Sequence, residues 1–266
     1  MNALPVVSPV PFVHQMGAVF RIEVVRIMHP RHSLPAFLLA ALPVGVAVVV
    51  STQVTLDRGG AFPAVFYNLL LGVTVFFGCA FIFTKLFRSE ILERTLHYYL
   101  LAPIQREALL LGKYAAGVVV SWVLFGGATV LACVLLFGLP GGTAPWEWIA
   151  SLLQDLGTTL LACLAYGAVF LLFGLLFSNP ILPVAGLLAW EGLHFLLPPT
   201  LQALSVRYYL GALTSVPLPV PDGPFAILAR SPQPWVSVLT LIALTLAGLA
   251  LGAWRLRRLE IRYTDD

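Results

Sequence analysis

Apolar runs long enough to cross a bilayer recur along the chain, separated by short polar or charged segments. A membrane helix needs about 20 mostly apolar residues. Six runs meet or approach that length: Leu34 to Val54, Pro63 to Thr84, Tyr114 to Phe137, Leu156 to Phe177, Ile181 to Leu197 and Trp235 to Trp254. The fourth has an amphipathic lead-in from Trp146, and the fifth is short and bounded by prolines. The pattern predicts an all-α polytopic membrane protein with six transmembrane helices. Only Ser178-Asn179-Pro180 separates the fourth run from the fifth, so a re-entrant hairpin competes there.

Composition agrees. The 266 residues are 59% hydrophobic and 10% charged, with a mean hydropathy of +0.93. Soluble domains carry about 25% charged residues, so this chain has too few polar groups to cover a water-facing surface. Cys79, Cys133 and Cys163 each sit alone in an apolar run and read as small buried hydrophobes rather than a disulfide or metal framework. The first residues carry no Lys or Arg, which argues against a cleaved signal peptide and for a retained first anchor.

Charge placement sets the expected orientation. With the N-terminus in the cytoplasm, Arg21, Arg26, Arg31, Lys85, Arg88, Arg94, Arg106, Lys113, Arg255, Arg257, Arg258 and Arg262 lie inside. Only Arg58, Arg207 and Arg230 then lie outside. Both termini inside requires an even number of crossings. The chain divides as one permease domain over 1–266: a tail and interfacial helix over 1–33, six spans over 34–254 and a cytoplasmic tail over 255–266. The expected location is the cytoplasmic (inner) membrane.

Two cytoplasmic segments carry helical patterning. In His14 to His29, Phe20, Val24, Ile27 and Met28 recur at helical spacing, while Arg21 and Glu23 fall elsewhere on the wheel. This predicts a helix in the membrane interface, or an amphipathic cap packed on the other helices. Between spans two and three, Lys85 to Lys113 mixes basic residues with Glu90, Glu93 and Glu107. Ser89 is placed to cap a short helix reaching Leu101, which Pro103 would end. The mixed charge and helical spacing predict a docking surface for a cytoplasmic protein.

That loop resembles the transmembrane subunits of type 2 ABC export permeases. The family shows an acidic residue, a Thr-Leu pair, a Leu-Leu-x-Pro stretch, an Arg, and a Gly-Lys opening the third span. The matching residues are Glu90, Thr95-Leu96, Leu100-Leu101-Ala102-Pro103, Arg106 and Gly112-Lys113. Tyr98-Tyr99 is bulkier than the family pattern. The resemblance implies that the loop is a coupling helix, with Glu90, Glu93, Arg94, Thr95, Leu96, Pro103 and Arg106 meeting a separate ATP-binding cassette ATPase subunit. It further implies a second permease subunit, as homodimer or heterodimer. ATP and Mg would then be bound by the partner ATPase and no cofactor by this chain, which lacks a G-x-x-x-x-G-K-[ST] stretch. Membrane lipid is an expected partner and nucleic acid is not.

Inside the spans, Glu191 and His194 are spaced i, i+3 and share one helix face. They read as part of a translocation path or as a packing pair. Asp155 is expected at headgroup level and solvated. Gly248 and Gly252 form a GxxxG that permits close helix contact. A secondary transporter is the main rival reading, weakened by the lack of an internal repeat and the scarcity of intramembrane charges. An intramembrane enzyme finds too few converging polar groups. A non-transporting membrane subunit stays open.

Overall fold

The computed structural model describes residues 11–53, 58–92, 104–138, 145–193, 199–215 and 232–258. Among these residues every regular element is helical. Helix α1 (Phe12–Met28) precedes α2 (Pro30–Thr52), which runs on through Pro35 and Pro43. Next comes one long rod: α3 (Arg58–Ala64), a π-helical stretch (Val65–Val75) and α4 (Phe76–Leu92). Helices α5 (Arg106–Phe137) and α6 (Pro145–Leu176) are each 32 residues long. Then follow α7 (Ile181–Leu193), the short α8 (Pro199–Gln202) and α9 (Val206–Gly211), and finally α10 (Pro234–Arg257).

Among the described residues, five helical stretches are long and apolar enough to cross a bilayer: Ser33–Thr52, Ala61–Ile91, Arg106–Phe137, Trp146–Leu176 and Pro234–Arg257. Of the fifth expected span, Ile181 to Leu197, the described part is α7, 13 residues, or about 20 Å at 1.5 Å per residue, against a hydrocarbon thickness of about 30 Å. Chain direction is nevertheless decided by contacts. Arg106, at the start of α5, bonds the carbonyls at the end of α10. Gly174, near the end of α6, abuts the Thr84 carbonyl of α4. The ends of α4, α6 and α10 therefore share one end of the bundle with the start of α5, and the passage from Leu176 to Pro234 carries the chain to the other end.

Packing places the rod and α6 at the centre. In the rod 67% of the apolar window is buried, and in α6 61%, against 28% for the first and last spans. The fully buried Phe83 ring lies between Gly117 of α5 and Gly167 of α6. A Cβ at either glycine would come within 2.7 Å of that ring, so bare backbone on both helices is what lets three helices meet around one aromatic side chain. Around it, Phe76 makes edge contacts with Tyr166 and Phe170 at centroid distances of 5.4 and 5.1 Å. Gly248 and Gly252 serve contact within the chain, against Ala168 and Leu171 of α6. The three cysteines are free and buried, as their apolar setting predicts.

Candidate functional site: a buried charge network at the end shared by α1, α4, α5 and α10

Helix α1 turns a polar stripe inward. Gln15, Val19 and Glu23, four residues apart, are its buried positions, and they line up on one face. Val13, Ile22, Val25 and Met28 are exposed. Phe20, Val24 and Ile27, on the apolar face that the sequence pattern marks, are half-buried beside this stripe and Met28 is exposed, so α1 packs as a cap on the other helices. The buried stripe itself is set by what it meets. Gly112 of α5 lies under α1 so closely that a Cβ there would reach the Met16 carbonyl at 2.8 Å and the Val19 Cβ at 2.9 Å. Next to Gly112, Lys113 is fully buried and needs carboxylates more than methyl groups.

Lys113 Nζ donates to Glu23 and to Glu90 Oε1 (2.6 Å), and to the Leu86 carbonyl (3.3 Å). Arg26 Nη1 donates to the same two carboxylates, at 2.7 Å to Glu90 and 3.3 Å to Glu23. Arg26 Nη2 donates to Ser89 Oγ. Two acids and two bases thus balance inside a site where both acids are 2% exposed. An unbalanced charge there would cost several kcal/mol of desolvation, so the four side chains hold α1, α4 and α5 together as a set. Ser89 does not cap a new helix: α4 continues through it to Leu92, and its hydroxyl donates to the Lys85 carbonyl at 2.7 Å.

The same end is tied down twice more. Gln15 Oε1 accepts from the Gln105 backbone N–H at 2.9 Å, joining α1 to the entry of α5. Arg106 Nη1 donates to the carbonyls of Leu256 (3.0 Å) and Arg257 (2.7 Å), supplying partners to the open C-terminus of α10. Arg257 in turn pairs with Glu107 at 2.6 Å. Of the residues singled out in the loop, Glu90 and Arg106 flank it and join these networks. Glu93, Arg94, Thr95, Leu96 and Pro103 lie outside the described residues, as does His194. Glu23 and Lys113 became visible as a pair only through packing. The signal in the sequence was a lone Lys at the mouth of a span and the single acid on α1.

At the opposite end, a second set of polar contacts holds the segment 199–215 against the bundle. The Glu191 carboxylate accepts from Ser205 Oγ (2.6 Å), Val206 N (2.9 Å) and Arg207 N (3.1 Å), the start of α9. Asp155 is 1% exposed and accepts from Ser215 N (3.0 Å) and Oγ (2.7 Å). It is therefore not the solvated headgroup-level acid that its position suggested. Gln154 and Thr158 donate to the Leu213 carbonyl from the same face of α6. In α9, Val206 and Leu210 are buried in the core.

Long apolar helices packed around a central rod define an integral membrane protein. Residues 20–189 match the family model of ABC-2 family transporter proteins. That match spans well over half of the chain, and the chain belongs to this family. The matched stretch contains Glu23, Arg26, Glu90 and Lys113, while Glu191 and the 199–215 segment lie beyond it. No curated protein matches the chain.

Proposed function

We propose that the chain is the membrane-spanning subunit of an ATP-driven exporter, working with an ATPase on a separate polypeptide and with a second permease subunit. The end of the bundle bearing α1 and the 93–103 loop faces the cytoplasm, because the chain's Lys and Arg concentrate there. Nucleotide and Mg belong to the partner ATPase, and the loop between α4 and α5 is its docking surface.

The observation that carries this reading is the sharing of Lys113 between Glu23 and Glu90. A push on the 93–103 loop moves the end of α4 and the start of α5. The buried ion network obliges α1 to move with them, since separation would strand a charge in a dry site. A local displacement at the loop therefore becomes a concerted shift of α1, α4 and α5, and Arg106 passes it to α10. Packed elements joined in this way switch between discrete arrangements rather than deforming continuously.

The test is purification of the chain with its native partners. An ATP-binding subunit at one copy per permease is expected, and substitution of Pro103 should weaken that association. If no ATPase accompanies the chain and its transport follows an ion gradient, the secondary-transporter reading replaces this one.

A further inference from the structure

Arg207 sets an unusual charge within the outer half of the bundle. Its segment is held by Asp155, nine residues along the α6 span from Trp146, or about 14 Å from that end. The guanidinium lies against Gly72 of the rod, where a Cβ would meet Cζ at 3.2 Å. It stacks over Tyr67 at 4.6 Å and donates from Nη2 to Asn68 Oδ1 at 2.5 Å. Arg207 makes no salt bridge with a carboxylate among the described residues. Glu191, the nearest acid in its surroundings, is engaged by Ser205 and by the N–H groups of Val206 and Arg207. Arg207 Nε is buried without a hydrogen-bond partner.

A guanidinium is always charged and presents five donors in a fixed fork suited to carboxylate and phosphate. This one is held by a neutral amide and an aromatic face and makes no direct ion pair among the described residues, with Glu191 within its electrostatic reach. Asn68 is exposed on the rod, and Leu201 and Leu204 are exposed beside α9. A cationic fork on a segment that also exposes apolar side chains matches an amphiphile with an anionic head.

We propose that Arg207, positioned by Asn68 and Tyr67, is a binding site for the anionic oxygen head, phosphate or carboxylate, of an amphiphile at the outer end of the bundle. The head comes either from a bilayer phospholipid or from a free anion reaching the same fork.

The test needs neither ATP nor a partner, so it stands apart from the exporter reading. The full chain, delipidated in dodecyl maltoside, is titrated with dioctanoyl phosphatidic acid and separately with inorganic phosphate, following the thermal unfolding midpoint. Phosphatidic acid should raise the midpoint, and Arg207→Gln should weaken its apparent affinity about tenfold or more, the scale of one charge-assisted hydrogen-bond pair. Asn68→Asp keeps the arginine but supplies a built-in carboxylate on an exposed position, and should suppress the response equally. That variant decides the matter if Arg207→Gln does not fold. An Arg207-dependent response to inorganic phosphate of the same size identifies a free anion; a response to phosphatidic acid alone identifies a lipid head. No response to either, or equal responses in wild type and Asn68→Asp, overturns the site.

Discussion

Lys113 Nζ sits 2.6 Å from Glu90 Oε1, and neither side chain is more than 2% exposed. The two residues belong to different helices, 23 positions apart, on either side of the 93–103 loop. Their pairing closes the base of that loop, and Glu23 brings α1 to the same ammonium group.

Removing one member of such a set leaves its partners charged and dry. Lys113→Met is expected to destabilise the protein by about 3–5 kcal/mol. The double variant Lys113→Met with Glu90→Gln should recover part of that loss, because it removes opposite charges together. Thermal unfolding of the four proteins of the double-mutant cycle measures the coupling. Equal losses that simply add would show that the pair is not coupled.

The exposed pair offers a contrast. Arg257 and Glu107 are as close, at 2.6 Å, but 67% and 34% exposed. Solvent and salt screen such pairs to about 0–1 kcal/mol. Glu107→Gln should therefore shift the unfolding midpoint little, and the small shift should shrink further as NaCl is raised.

Gly112 is the contact point between α1 and α5. Gly112→Ala places a methyl group 2.8 Å from the Met16 carbonyl, a backbone atom with little freedom to move. Overpacking of this kind costs about 1–3 kcal/mol. Limited proteolysis should then cut within α1 at a protease dose that leaves the wild type intact.

Glu191 accepts three hydrogen bonds from the start of α9. Glu191→Ala leaves those donors without an acceptor, at about 1–3 kcal/mol. Hydrogen exchange at Val206 and Arg207 should quicken, while amides in α5 and α6 keep their protection. Protection unchanged at 206 and 207 would show that the contacts do not hold α9 in place.

Much of this was legible in the chain itself. Five of the six span positions followed from run lengths, because hydrocarbon admits only helices whose backbone polar groups are internally bonded. Arg106 at the entry of the third span also followed, as did the burial of the three cysteines. The buried stripe of α1 did not. Its apolar spacing supports more than one inward face, and the choice fell to the side that delivers Glu23 to Lys113. Asp155 misled for a similar reason: closeness to a span end suggests water, but Ser215 returns from 60 residues away to satisfy it.

The sequence by itself determined that this is an all-helical membrane protein, since that depends on composition and local order alone. Tertiary structure alone decided which charges meet. Glu23, Glu90 and Lys113 are separated by as many as 90 residues, and nothing local records their contact. Burial makes each of them costly unless the other two are present, so the requirement that links them exists only once the helices have packed.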